Sequence, residues 1–296
     1  MGRQGVVLGI MIAALACASS LAQAPASVEP GQGSAADAMG FLRVRAIRGP
    51  EWEIEKFKNP DGLWHAQLNA RGAKVAEFGE CGDKEDWMRF MLWPVDAAEP
   101  SLLLVLRYAG GAHGSDSLDV IHLKENYRSV FRSIDQFNFN QVKDFDNDGM
   151  PEIVGVTRHY AYMQELSRSQ SPYPTVVFSY RPDGKQFLCQ NHRFTSVLEE
   201  KALRYRSAFE KNAVAKGKYE YDRWSDANRE AFASLLSWVL ETCYMGQEEA
   251  AWAYLDEFTT PKTAALIRNA VTEKISTEPY YQELKRTLAR DKTAGN

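Results

Sequence analysis

Val142-Lys143-Asp144-Phe145-Asp146-Asn147-Asp148-Gly149-Met150-Pro151-Glu152-Ile153-Val154 is an acidic turn that runs straight into a β-branched segment. Three aspartates alternate, a glycine follows, and a glutamate stands three residues beyond it. Calcium is a hard cation that takes six to eight oxygen ligands, so several carboxylates must converge on one point. Asp144, Asp146 and Asp148 occupy loop positions one, three and five, and Gly149 at position six permits the sharp turn. Met150 would offer its backbone carbonyl at position seven, and Glu152 falls at position nine. Position twelve is Gly155, where an EF-hand needs a bidentate glutamate, so the loop is not an EF-hand. Glu152 to Thr157 reads instead as a strand. The alternative is a polar Asp/Gly turn held by its own side-chain hydrogen bonds. So much like charge in so few residues favours a bound cation over a bare turn.

Asp144-Phe145-Asp146-Asn147-Asp148-Gly149-Met150-Pro151-Glu152-Ile153-Val154 resembles the calcium motif of FG-GAP (VCBS-type) repeats, known from integrin α-chain propellers and many secreted bacterial proteins. The resemblance carries Asp144, Asp146, Asp148 and Glu152 over as ligands of one structural calcium ion, with the Met150 carbonyl. The motif occurs once; the turns at Asp61-Gly62 and Asp183-Gly184 do not repeat it. A full propeller would need several. The wider stretch, from Tyr108 to Gly114 and from Ser171 to Pro174, is similar to uncharacterised envelope proteins that carry one such motif.

Outward from the loop, residues 41–194 read as a β-rich domain. Trp52 to Phe57, Gly62 to Leu68 and Trp87 to Trp93 show period-two alternation, as does Phe41 to Ile47. Leu102 to Leu106 is apolar on both faces and should be a central strand. Leu118 to Leu123, Tyr127 to Phe131 and Thr175 to Tyr180 complete the set. Short strands with Gly, Pro and Asn between them imply an antiparallel sandwich or a partial propeller-like array. Residues 195–296 change character and read as an α-helical bundle. Ser196-x-x-Glu199 resembles a capping box, Ser225 caps a second helix, and Gly246 ends it. Phe232, Leu235, Leu236, Val239, Leu240 and Cys243 fall at helical spacing. Pro261 and Pro279 each open a further helix. The fold class expected is thus α+β by segregated domains.

Residues 1–22 read as a signal peptide: Arg3 gives the positive end, Val6 to Ala16 the apolar run, and Ser20-Leu21-Ala22 the cleavage pattern. A lipoprotein reading through Cys17 competes, but Ala14 stands where a lipobox has leucine. Residues 23–40 form a flexible linker rich in Ala, Gly, Ser and Pro. The chain is expected to be periplasmic or secreted, with no transmembrane segment after the leader. Thirty-five basic against 39 acidic side chains give a net charge of −4, with no basic excess to hold nucleic acid. Cys81 and Cys189 could pair in an oxidising compartment; buried free thiols are the equal alternative.

Four residues outside the loop are candidates for ligand binding. His113 sits in the glycine-rich run Gly110 to Ser115, where Ser115 and Asp119 could complete a hydrolytic set. His159, Tyr160 and Tyr162 open the long connection after the calcium strand, where exposed aromatics would suit peptide or glycan recognition. The function expected is a non-catalytic, calcium-binding envelope protein with a protein or glycan partner. A hydrolase using His113 or His159 is one alternative, and a scaffold docking a partner on its helices is another.

Overall fold

The computed structural model describes residues 45–294, apart from 82–83, 85–86, 97–98, 109–115, 135, 214–216 and 223–224. The leader, the linker, Ser115 and His113 therefore lie outside the described residues. The strands are β1 (Ala46–Arg48), β2 (Trp52–Lys58), β3 (Trp64–Ala70), β4 (Ala73–Cys81), β5 (Met88–Asp96), β6 (Glu99–Tyr108), β7 (Asp116–His122), β8 (Arg128–Arg132), β9 (Phe137–Lys143), β10 (Glu152–Thr157), β11 (Thr175–Arg181) and β12 (Gln186–Cys189). The helices follow: α1 (Thr195–Ala213), α2 (Asp226–Tyr244), α3 (Glu248–Phe258), α4 (Pro261–Thr277) and α5 (Pro279–Ala294). An antiparallel β domain is thus followed by a helical region.

Every sheet is a four-stranded meander in chain order: β1 to β4, β5 to β8, and β9 to β12. Strand pairing is antiparallel throughout. Consecutive propeller blades are built the same way, but a closed ring takes at least about four. The middle sheet is apolar on both faces, as the all-buried run Leu102 to Leu106 in its central strand β6 requires. Leu103 and Ile121 share one face and join a core with Ile54, Trp64, Leu68 and Phe78 of the first sheet. Leu104, Val120 and Phe131 are in register on the opposite face. Phe131 there meets Phe178 of β11 at 4.8 Å and Phe187 of β12 at 6.1 Å between ring centroids. One sheet therefore lies to each side of the middle one.

The third sheet is also where the helices attach. The predicted stripe of α2, from Phe232 to Cys243, is wholly buried, and so is every residue from Leu235 to Tyr244. A helix buried all round is central to its bundle. Each fully buried Leu, Phe or Val in it contributes roughly 1.5–3 kcal/mol relative to exposure. Ser225 caps α2 by accepting from the Asn228 amide at 3.4 Å, and Gly246, at φ 78°, ends it. Thr260 caps α4 in the same way, with Pro261 in its first turn. The first helix begins at Thr195, so Ser196 lies inside its first turn and not at the cap.

Three strands exceed the sequence expectation. β4 carries Ala, Lys, Glu and Gly, residues with weak strand preference, and forms through pairing with β3. β9 alternates Phe and Asn and is the first strand of the hairpin that carries the acidic loop. β12 has only four residues. Cys81, Cys189 and Cys243 are free and buried, so they serve as small apolar side chains and no disulfide joins the sheets.

Candidate metal centre

The acidic loop is the connection of the β9–β10 hairpin. Lys143 and Glu152 are its last paired residues, leaving 144–151 to turn the chain. Asn147 at φ 60° and Gly149 at φ 87° take the left-handed backbone that closes it. Asp144 holds the turn: its Oδ1 accepts from the Asp148 amide at 3.2 Å and its Oδ2 from the Gly149 amide at 2.9 Å. Asp148 Oδ1 accepts from the Met150 amide at 2.7 Å. Glu152 Oε2 accepts from the Phe145 amide at 2.8 Å, so both ends of the loop are tied by carboxylates.

Asp144, Asp146 and Glu152 each bring one carboxylate oxygen within 4.8 Å of the other two. Asp148, although in the expected series, is outside this trio and caps Met150 in its place. Glu152 is 0 % exposed, and its Oε1 has no hydrogen-bond partner among the described residues. A buried carboxylate oxygen without a partner costs free energy that the fold must recover elsewhere. Burial pushes Glu152 up to about 7, with Asp146 and Asp148 adding to the rise against the Phe145 amide and the Ser179 hydroxyl. Two other elements brace the loop. The Trp93 indole of β5 donates to the Gly149 carbonyl at 3.3 Å, and Arg193, between β12 and α1, stands 3.7 Å from Asp146. An all-oxygen, acidic donor set with one orphaned buried oxygen fits a hard divalent cation.

The remaining candidates separate. Tyr160 is 0 % exposed, a correction to its reading as a surface aromatic. Its ring enters the interior because its hydroxyl finds Tyr244 at 3.3 Å, and Tyr244 in turn donates to Glu278 Oε2 at 2.7 Å. His159 is half-buried, with Nε2 3.3 Å from the Thr277 hydroxyl. Burial lowers its pKa, opposed by Glu278. Tyr162 alone of the three faces solvent, at 55 % exposure and φ 60°. Asp119, considered as the orienter of a hydrolytic set, is buried between the guanidinium groups of Arg107 and Arg132, the latter at 2.6 Å. That clamp occupies both of its oxygens.

Two buried acids escaped the sequence reading. Glu241 of α2 accepts from the Thr175 amide at 3.2 Å and pairs with Lys201 of α1 at 2.5 Å. Glu278, between α4 and α5, accepts from Thr157 at 3.0 Å, from Tyr244 and from the Tyr281 amide. The signal available was a charged residue inside an apolar helical stretch, as at Leu240-Glu241-Thr242. Elsewhere, a groove of about 320 Å³ between β8, β12 and α5 shares no lining residue with the acidic loop. Its floor of Phe131, Phe178, Phe187 and Tyr280 is buried. Comparison with protein-family models, with curated proteins and with solved structures finds no match to this chain.

Proposed function

We propose that residues 144–152 hold one structural calcium ion and that the chain is an exported, non-catalytic binding protein of the cell envelope whose partner is a protein or a glycan. The observation that carries the calcium reading is the buried, unpartnered Oε1 of Glu152 beside Asp144 and Asp146. A divalent cation there would satisfy the orphaned oxygen and offset the mutual repulsion of the carboxylates. Asp144, Asp146 and Glu152 would hold it, with Asp148 and the Met150 carbonyl as the outer candidates. A structural role follows from position, because the same carboxylates close the hairpin that begins the third sheet.

The binding role rests on different support. The leader pattern of residues 1–22 favours export. Asp119 is committed to two arginines, and no carboxylate hydrogen-bonds the His159 ring among the described residues. The Tyr162 loop is the better recognition element: it exposes an aromatic ring while Tyr160, Met163 and Leu166 anchor it beneath. A docking scaffold would need a broad apolar patch on the helices. Among the described residues the exposed large apolar side chains are scattered, with Leu203 the helical one.

Thermal melting with calcium and with chelator, followed by calorimetric calcium titration, tests the ion. The wild type should melt several degrees higher with calcium, and Asp146→Ala should lose that difference. Identical melting of both proteins under both conditions would sink the calcium reading.

A further inference from the structure

Arg193 lies in a short 3₁₀ turn, Asn191–Arg193, that links the last strand of the third sheet to α1. Its guanidinium is held from three sides. Nη1 donates to Gln190 Oε1 at 3.0 Å, the group lies 5.7 Å from the centre of the Phe194 ring, and Nη2 stands 3.7 Å from Asp146 Oδ2. Asp146 is thus the member of the converging trio that already faces a cation supplied by the chain. Glu152 Oε1, by contrast, has none.

We propose that Arg193 is a tethered competitor for the ion: it neutralises Asp146 when the loop holds no calcium and is displaced from it when calcium binds. The proposal rests on the calcium reading above and adds the residue that sets the site's affinity. A divalent ion bound by Asp146 would place two positive charges beside a third, the guanidinium. Either that repulsion is tolerated at a cost in affinity, or the side chain swings away and loses its ion pair. Both routes weaken calcium binding relative to a loop without the arginine. The pair is half-exposed, so its own contribution is modest, and salt should screen it.

Calorimetric calcium titration of the wild type, Arg193→Gln and Arg193→Lys at low salt decides the matter. Arg193→Gln should bind roughly threefold to tenfold more tightly than the wild type. Arg193→Lys, which keeps the charge, should stay nearer the wild type. The advantage of Arg193→Gln should shrink as sodium chloride is raised. In chelator, Arg193→Gln should melt no higher than the wild type, so its calcium-induced rise in Tm is larger. Equal or weaker calcium binding by Arg193→Gln, with the wild type binding normally, would overturn the competitor role and leave the calcium site standing. A wild type that binds no calcium would overturn both.

Discussion

Glu152, buried, and Asp116, half-buried, are carboxylates of opposite use. Glu152 keeps one oxygen without a partner beside two other acids, the arrangement on which the proposed calcium site rests. Asp116, at the start of β7, accepts from the Phe139 amide of β9 at 2.9 Å and thereby joins the middle sheet to the third. Burial pushes it up to about 6, against the pull of the Phe139 amide, Arg89 and Arg158. A carboxyl whose folded pKa is raised binds its proton more tightly in the native state than in the unfolded chain. Its contribution is therefore most favourable below about pH 4 and becomes unfavourable as pH rises through about 6. The ionised form should cost roughly 2 kcal/mol at neutral pH, allowing for its partial exposure. Asp116→Asn keeps an acceptor for the Phe139 amide and removes the charge. It should be the more stable protein at pH 7.5 and lose most of that advantage at pH 4.5 in urea denaturation. An advantage that does not change with pH would show that charge is not the reason. Glu152→Gln makes the complementary case: it should raise Tm in chelator and remove the rise given by calcium. A variant that keeps the full calcium response would exclude Glu152 as a ligand.

β10 shows how local sequence, register and site depend on one another. Gly155 disqualifies the loop as an EF-hand, and the structure supplies the reason that glycine stands there. The ladder with β9 shifts register between Val154 and Gly155. A side chain at Gly155 would begin 2.2 Å from the Phe137 ring and 2.5 Å from the Asn138 carbonyl. Backbone cannot yield as a flexible side chain does, so Gly155→Ala should destabilise by about 2–4 kcal/mol in guanidinium unfolding. Phe137→Leu, which clears the ring but not the carbonyl, should recover only part of the loss in the double variant. A Gly155→Ala protein as stable as the wild type would contradict the close approach. The strands whose pattern is strong, such as Leu102 to Leu106, were legible in the sequence, as were the α2 stripe, the cap at Ser225 and the helix start at Pro261. β4 was not, because tertiary pairing overrides its weak propensity, and β12 was too short to show a period. At the site, the turn chemistry of Asp144 and Gly149 was legible from spacing alone. That Asp148 would cap Met150 and leave the trio was not, since one residue type serves both roles at that spacing. Arg193 and Trp93 are brought to the loop from 47 and 56 residues away from Asp146 and Gly149, respectively, and no local pattern announces them.

The molecule as a whole is joined by buried polar nodes between its β domain and its helical region. Glu241 ties α1 and α2 to the first residue of β11 through Lys201 and Thr175. Glu278 ties α4 and α5 to the end of β10 through Thr157, and Tyr280 contacts both Phe137 and Phe178. Burial raises the pKa of both acids, opposed at Glu241 by Lys201 and at Glu278 by the hydroxyls of Tyr244 and Thr157. Removing one member of such a set leaves the others unsatisfied and costs about 3–5 kcal/mol, although an apolar replacement of the whole set need not. Glu241→Ala should therefore lower stability by that amount, and Glu241→Leu combined with Lys201→Met should lose less. The same nodes predict how the protein melts. The acidic loop opens β10 and Glu278 grips its far end, so sheet and helices should unfold in one transition. Helical circular dichroism and tryptophan fluorescence should then share a midpoint, and calcium should move both together. Helices that melt apart from the sheets, at a temperature calcium does not change, would show that these nodes do not couple the two regions.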